Sequence, residues 1–415
     1  MNRFLLSLLL IVSLLPQCQS QLRPPKVEIL PSDTVGYSIV DAEANGIENR
    51  EHLAPVFDKL LKQRMQGGQK VTIVHIGDSH ILGNFLTHEV RQRLQREFGD
   101  AGRGMIFPYK LASSNGPRDY LTESLGGWVG TNAQRIQTEE TTHGLSGFMV
   151  ESSNPKAELT FRLRDTATSE TKLFTKVTIF QRKDARQFDV VVKDDNSKQE
   201  AELLVEDEDT RCFYFDRPVG QVSICARKST NQQKELRLDG ICIENELAGV
   251  VYHSIGINGA EFNDFLRAKH FAEQLAELNP DLVIFSFGTN EAQGAPDPGY
   301  LRRQMDQLVK KIDENCPNAA YMFTTPADSY LRGKGANPHM PVVSATIRQY
   351  TREKGYALWD LFQLSGGENS AEAWKTRGLM SSDSVHYSKT GYVVQGKLLY
   401  QSIIKAYNRF VEGAP

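Results

Sequence analysis

The stretch Lys70-Val71-Thr72-Ile73-Val74-His75-Ile76-Gly77-Asp78-Ser79-His80 decides the fold. Val71 to Ile76 is dense in β-branched, apolar residues and reads as a buried strand. Beyond it, Phe85, Leu86, Val90 and Leu94 share one face of a helix running from about Asn84 to Phe98. Gly77 to His80 therefore stands where a strand hands over to a helix. The same texture returns downstream. GVVYHSI (249–255), DLVIFSF (281–287), AAYMFTT (319–325) and YALWDLF (356–362) read as strands. Helices are expected over Phe262 to Leu278, Tyr300 to Asn315, Val342 to Lys354 and Lys389 to Val411. Such β-α alternation implies a parallel sheet with helices on both faces, an α/β fold.

Between the two α/β halves the texture changes. From about Asp119 to Leu247, short β-rich runs such as ELTFRLR, FDVVVK and QVSICA are separated by polar turns, and no long helix interrupts them. Evenly spaced strands of this kind suggest a β-sandwich. The glycine-rich bend Gly99 to Gly104 reads as loop. The expected organisation is one α/β domain in two parts, 21–118 and 248–415, with a β-rich insertion at 119–247. No internal repeat or low-complexity tract is present.

Residues 1–20 read differently again. Arg3 precedes an apolar run from Phe4 to Leu15 that Pro16 ends, too short for a bilayer but suited to a signal peptide. A periplasmic or secreted protein is the expectation. No later stretch is apolar enough for a membrane helix. The 415 residues carry a formal net charge of -3, which points to neither nucleic acid nor an anionic membrane surface as partner. Cys212, Cys225, Cys242 and Cys316 remain after cleavage, and export would permit a disulfide as readily as buried thiols. No Cys/His spacing suggests zinc, and neither metal nor cofactor is expected.

Four motifs fall just beyond strands or just before a helix. Gly77-Asp78-Ser79-His80, Ile257-Asn258-Gly259 and Gly288-Thr289-Asn290-Glu291 each follow a strand. In open α/β sheets, sites gather at the carboxyl ends of strands. A serine at a helix N-terminus is often only a cap. Asp383-Ser384-Val385-His386, in the loop before the last helix, changes that balance. A carboxylate three residues before a histidine can fold back on one ring nitrogen and leave the other as a base. A serine hydroxyl needs such a base to become a nucleophile. A GxSxG elbow is excluded, because Ile81 stands where its second glycine would be.

These residues resemble the SGNH (GDSL-like) hydrolases, with His80 in place of the usual leucine. The resemblance implies a flavodoxin-like parallel sheet, Ser79 as nucleophile, His386 as base and Asp383 as its orienting acid. It also implies an oxyanion hole from the N–H groups of Ser79 and Gly259 and the Asn290 amide; His80, the departure, either shapes the pocket or packs, and packing is the expectation. GDSH, FGDAGRG (98–104), GINGA (256–260) and GTNEA (288–292) are more narrowly similar to the periplasmic peptidoglycan O-acetylesterases, whose inserted β-sandwich resembles a carbohydrate-binding module. The expected function is hydrolysis of acetyl esters on a glycan, peptidoglycan first. Xylan-type or lipid esters, O-acetyl transfer with the same triad and non-catalytic glycan binding are the alternatives. The insert's aromatics, Phe161, Phe174, Phe180, Phe213, Tyr214 and Phe215, are expected in its core, with Trp128 nearer the surface.

Overall fold

Five strands follow the apolar runs: β1 (Lys70–Gly77), β2 (Gly249–Gly256), β3 (Leu282–Ser286), β4 (Ala320–Thr324) and β5 (Ala357–Trp359). They form one parallel sheet in the order β2-β1-β3-β4-β5. The structure is a computed structural model that describes residues 25–413 apart from 37, 42, 137 and 166–171. The leader expected at 1–20 thus lies outside the described residues. Among those residues, no helix is long and apolar enough to cross a membrane.

Alternate residues of each strand serve opposite faces, as a period of two requires. Val71, Ile73, Leu282 and Ile284 pack with α1 (Ala54–Gln66), α3 (Phe85–Phe98) and α10 (Lys389–Val411) through Phe57, Val90, Leu94, Leu398 and Tyr407. Val74, Ile76, Val283 and Phe285 face the other way. They meet Phe262, Leu301, Met305 and Ile347 of α4 (Phe262–Arg267), α6 (Pro298–Asp313) and α7 (Met340–Lys354). The α/β sheet is therefore covered on both sides.

Two strand-helix readings are corrected. Phe262 to Leu278 is not one helix but two, α4 and α5 (Phe271–Ala276). The break has a long-range cause. Thr141 N–H donates to Arg267 O and Lys269 N–H to Thr141 O, so a segment of the insert draws the chain into a β-bridge at Ala268. The last expected strand stops at Trp359, because the Asp360 side chain accepts from Gln363 N–H and caps the short helix α8 (Leu361–Leu364), which α9 (Ser370–Thr376) follows.

Antiparallel sheets fill the interruption, consistent with an inserted β-sandwich. The larger two join Phe174–Phe180, Thr210–Val219 and Gly240–Glu244 on one side, and Glu158–Leu163, Gln221–Arg227 and Asp189–Asp194 on the other. Phe161, Phe174, Phe180, Phe213 and Phe215 are buried in its core, while Tyr214 is half-buried. Trp128 is half-buried too, its indole N–H donating to the Leu125 and Glu158 carbonyls. That core is continuous with the α/β core through Leu145, Phe148, Ile257 and Phe265.

The glycine bend holds the seam between the two parts. Gly104 already begins a strand, Gly104–Ile106, which pairs with Gly240–Glu244. Arg103 and Arg91 both donate to buried Asp119, and together these guanidiniums hold its carboxyl well below the usual range although burial alone would raise it. All four cysteines noted above are free thiols.

Candidate functional site

The sheet order makes neighbours of three loops. β1 lies between β2 and β3, with Gly77 level with Gly256 on one side and Ser286 on the other. The chain leaving β1 turns straight into the one-turn helix α2 (Ser79–Leu82). Glycines permit that close turn: a Cβ on Gly77 would lie 2.5 Å from Ser286 O, and one on Gly256 would lie 2.6 Å from Asp78 O. Asp78 caps α2 through Oδ1, which accepts from His80 N–H at 2.9 Å.

Ser79 stands at the start of α2, half-buried. Its Oγ lies 2.8 Å from His386 Nε2, across 307 residues of sequence. His386 Nδ1 lies 2.6 Å from Asp383 Oδ2. The Asp383 loop is internally braced. Oδ1 accepts from Ser381 Oγ at 2.6 Å, Val385 N at 3.0 Å and His386 N at 2.9 Å. Partial burial would raise the Asp383 carboxyl, but these donors and the His386 ring hold it well below the usual carboxylate range. Asp383 is thus an anion at any working pH, and an anion at Nδ1 keeps a proton there and leaves Nε2 to accept from the serine.

Gly259 follows β2 with φ +77°, a left-handed conformation suited to glycine, and is half-buried. Asn290 follows β3. Its Nδ2 donates to Ala260 O at 3.0 Å and to Asp78 Oδ2 at 3.3 Å, so one amide ties together the loops after β1, β2 and β3. Beneath it, Glu291 accepts from Gly288 N at 2.9 Å and Phe262 N at 3.2 Å. Burial, with Glu261 adding to it, pushes the Glu291 carboxyl up to about 8, and burial pushes Asp78 up to about 7. Sequence reading placed Ser79, Gly259, Asn290, Asp383 and His386 at loop ends; the structure brings Ser79, His386 and Asp383 into one hydrogen-bonded line and anchors Asn290 beside them.

His80 packs against His386 and also borders a small cavity with Asp78 and Thr289. Its ring stacks on His386, centroids 5.1 Å apart at 29°, and its Nδ1 is 2.9 Å from Tyr392 Oη. Sequence reasoning missed Asp78, Ser381 and Tyr392 as supports; only the Ser-x-Asp spacing of Ser381 and Asp383 carried a local signal. It also missed the insert's reach to the site. An open cleft of about 500 Å³ beside Gly259 is walled by Gln134, Thr138 and Glu139 on one side and Glu261 and Arg267 on the other. Asn258 is held by Asn115 Oδ1 at 2.6 Å.

A parallel sheet of this order, with a serine-histidine-aspartate line at its carboxyl edge, defines a class of hydrolase fold. Residues 237–394 match the model of the GDSL-like lipase/acylhydrolase family, and the fold is that of the SGNH hydrolases. Among solved structures it is similar to one described as a peptidoglycan O-acetylesterase in action, with 23% identity, 89% of this chain and 98% of that chain covered and a TM-score of 0.69. It is more distantly similar to a family two carbohydrate esterase from Cellvibrio japonicus, with 11% identity, 69% and 99% covered and a TM-score of 0.28. A lipase/acylhydrolase from Enterococcus faecalis stands at 17% identity, 38% and 77% covered and a TM-score of 0.31. No curated protein matches the chain.

Proposed function

We propose that this protein is a serine O-acetylesterase acting on an acetylated glycan, with peptidoglycan as the substrate. The observation that carries the reading is the continuous line from Ser79 Oγ to His386 Nε2 at 2.8 Å and from His386 Nδ1 to Asp383 Oδ2 at 2.6 Å. Ser79 attacks the acetyl carbonyl as its proton passes to His386 Nε2. The tetrahedral oxyanion takes hydrogen bonds from the N–H groups of Ser79 and Gly259 and from the Asn290 amide, once that amide turns from its present acceptors. His386 then returns the proton to the departing sugar hydroxyl, leaving acetyl-Ser79. Water, deprotonated by His386, attacks the acetyl group, and acetate leaves as Ser79 regains its proton. Each well-aimed oxyanion donor is worth about 10²–10³ in rate.

The glycan assignment draws on the likeness to the O-acetylesterase structure and on the open, polar cleft beside Gly259, which suits a hydroxyl-rich ligand better than an acyl chain. The apolar run at Phe4 to Leu15 supports export to the compartment where such a polymer lies. The test is acetate release from O-acetylated peptidoglycan, acetylated xylan and a small acetyl ester, with no acyl acceptor added. Preference for peptidoglycan per acetyl group supports the reading. Release from xylan alone would move the substrate class. Release only when an acceptor sugar is supplied would make the protein a transferase.

A further inference from the structure

His80 occupies the position beside the nucleophile, and its contacts are directional. Burial of the Tyr392 hydroxyl against α2 places Oη 2.9 Å from His80 Nδ1. Nδ1 is thus engaged by the Tyr392 hydroxyl. Nε2 is buried and has no protein partner among the described residues, and His80 borders a small cavity of about 40 Å³ with Asp78, Thr289 and Gln395. With Nδ1 taken by Tyr392 and Nε2 buried, His80 turns the face of its imidazole to its neighbour, and that neighbour is His386.

We propose that His80 is a positioning residue for His386: its neutral ring, anchored by Tyr392, holds the His386 ring in line with Ser79 and stabilises the imidazolium as it forms. This rests on the serine-esterase reading above. A leucine at this position would fill the space but present no π-face to a cation. The neutral state is essential, because a second positive charge 5.1 Å away would oppose the imidazolium. Burial, followed by the proximity of His386, pushes the His80 ring down to about 3, with Asp383 acting the other way. Asp383 from its own loop, Ser79 and Asp78 from the turn after β1, Tyr387 from just before α10 and Tyr392 within it are titratable or polar groups around the pair.

The test compares wild type with His80→Leu, His80→Phe and Tyr392→Phe on a small soluble acetyl ester across pH. His80→Leu is expected to lower kcat about 2- to 10-fold with KM nearly unchanged, and to move the acid limb of the pH–rate profile about half a unit lower, the size of a modest cation–π contact. His80→Phe, which restores a π-face, should return the limb to its wild-type place. Tyr392→Phe should lower kcat without changing KM, and carries the test if His80→Leu does not fold. Wild-type kinetics in both His80→Leu and Tyr392→Phe would overturn the proposal. So would equal loss in the Leu and Phe variants with the limb unmoved, which would mark His80 as packing alone. Failure of the underlying reading is seen separately, as wild-type activity that survives Ser79→Ala.

Discussion

Asp383→Asn is a one-atom change whose outcome the loop geometry dictates. Oδ1 receives three donors, Ser381 Oγ, Val385 N and His386 N, all within 3.0 Å. An asparagine must therefore keep its carbonyl oxygen there and place its NH₂ where Oδ2 now meets His386 Nδ1 at 2.6 Å. An NH₂ offers only protons to Nδ1, so the ring proton shifts to Nε2, which then faces Ser79 as donor instead of acceptor. The same tautomeric error in a serine protease costs about 10⁴ in kcat. Here a fall of roughly 10³–10⁴ is expected, or about 4–5.5 kcal/mol on the barrier, with KM within about threefold. The fold should hold, because the three donors keep their acceptor. Steady-state kinetics on p-nitrophenyl acetate, paired with a circular-dichroism melt, reads both. A folded variant with kcat within tenfold of wild type would refute the claim that Asp383 sets the tautomer.

Asn290→Ala should lower kcat by roughly 10²–10³ with a smaller effect on KM; a change confined to KM would make Asn290 a binding residue. The acid limb of kcat/KM should have unit slope, since Asp383 stays ionised and His80, pushed down to about 3, stays neutral; a slope of two would bring in a second essential base. Stability should fall between about pH 7 and 8, where unfolded histidines are mostly neutral. Over that window Glu291 and Asp78, with carboxyls raised to about 8 and about 7, hold protons that the unfolded chain has released. A melting temperature equal or higher at pH 8 would contradict this. Asp119→Ala should cost about 3–5 kcal/mol in urea denaturation, because it strands the buried Arg91 and Arg103 guanidiniums; a loss under 1 kcal/mol would mean that the cluster is solvated.

The fold was legible where local pattern and tertiary structure agree. Buried runs such as Val71 to Ile76 and Asp281 to Phe287 have few alternatives to a central parallel strand, and the last helix begins at Lys389 because Ser388 Oγ accepts from Gly391 N–H as a cap. The break between α4 and α5 was not legible, since its cause is Thr141, more than a hundred residues away. Asp383 and His386 meet through a three-residue spacing that any reader of sequence can weigh. Their meeting with Ser79 depends on strand order, which periodicity does not reveal, and entered the sequence reading only through resemblance. The supports of the site were hidden for the same reason. Asn290 reaches Asp78 and Ala260 from a different strand, and His80 finds Tyr392 across 312 residues.

The most direct test of the central claim is acetate released from O-acetylated peptidoglycan by wild-type protein and by Ser79→Ala at matched concentration. Ser79 Oγ is the atom on which the proposed chemistry turns, and removing a triad nucleophile in a model serine protease cost on the order of 10⁶ in rate. The account predicts steady release by wild type and none above the substrate's own hydrolysis by a Ser79→Ala protein with an unchanged melting curve. Release by that variant within tenfold of wild type would contradict it.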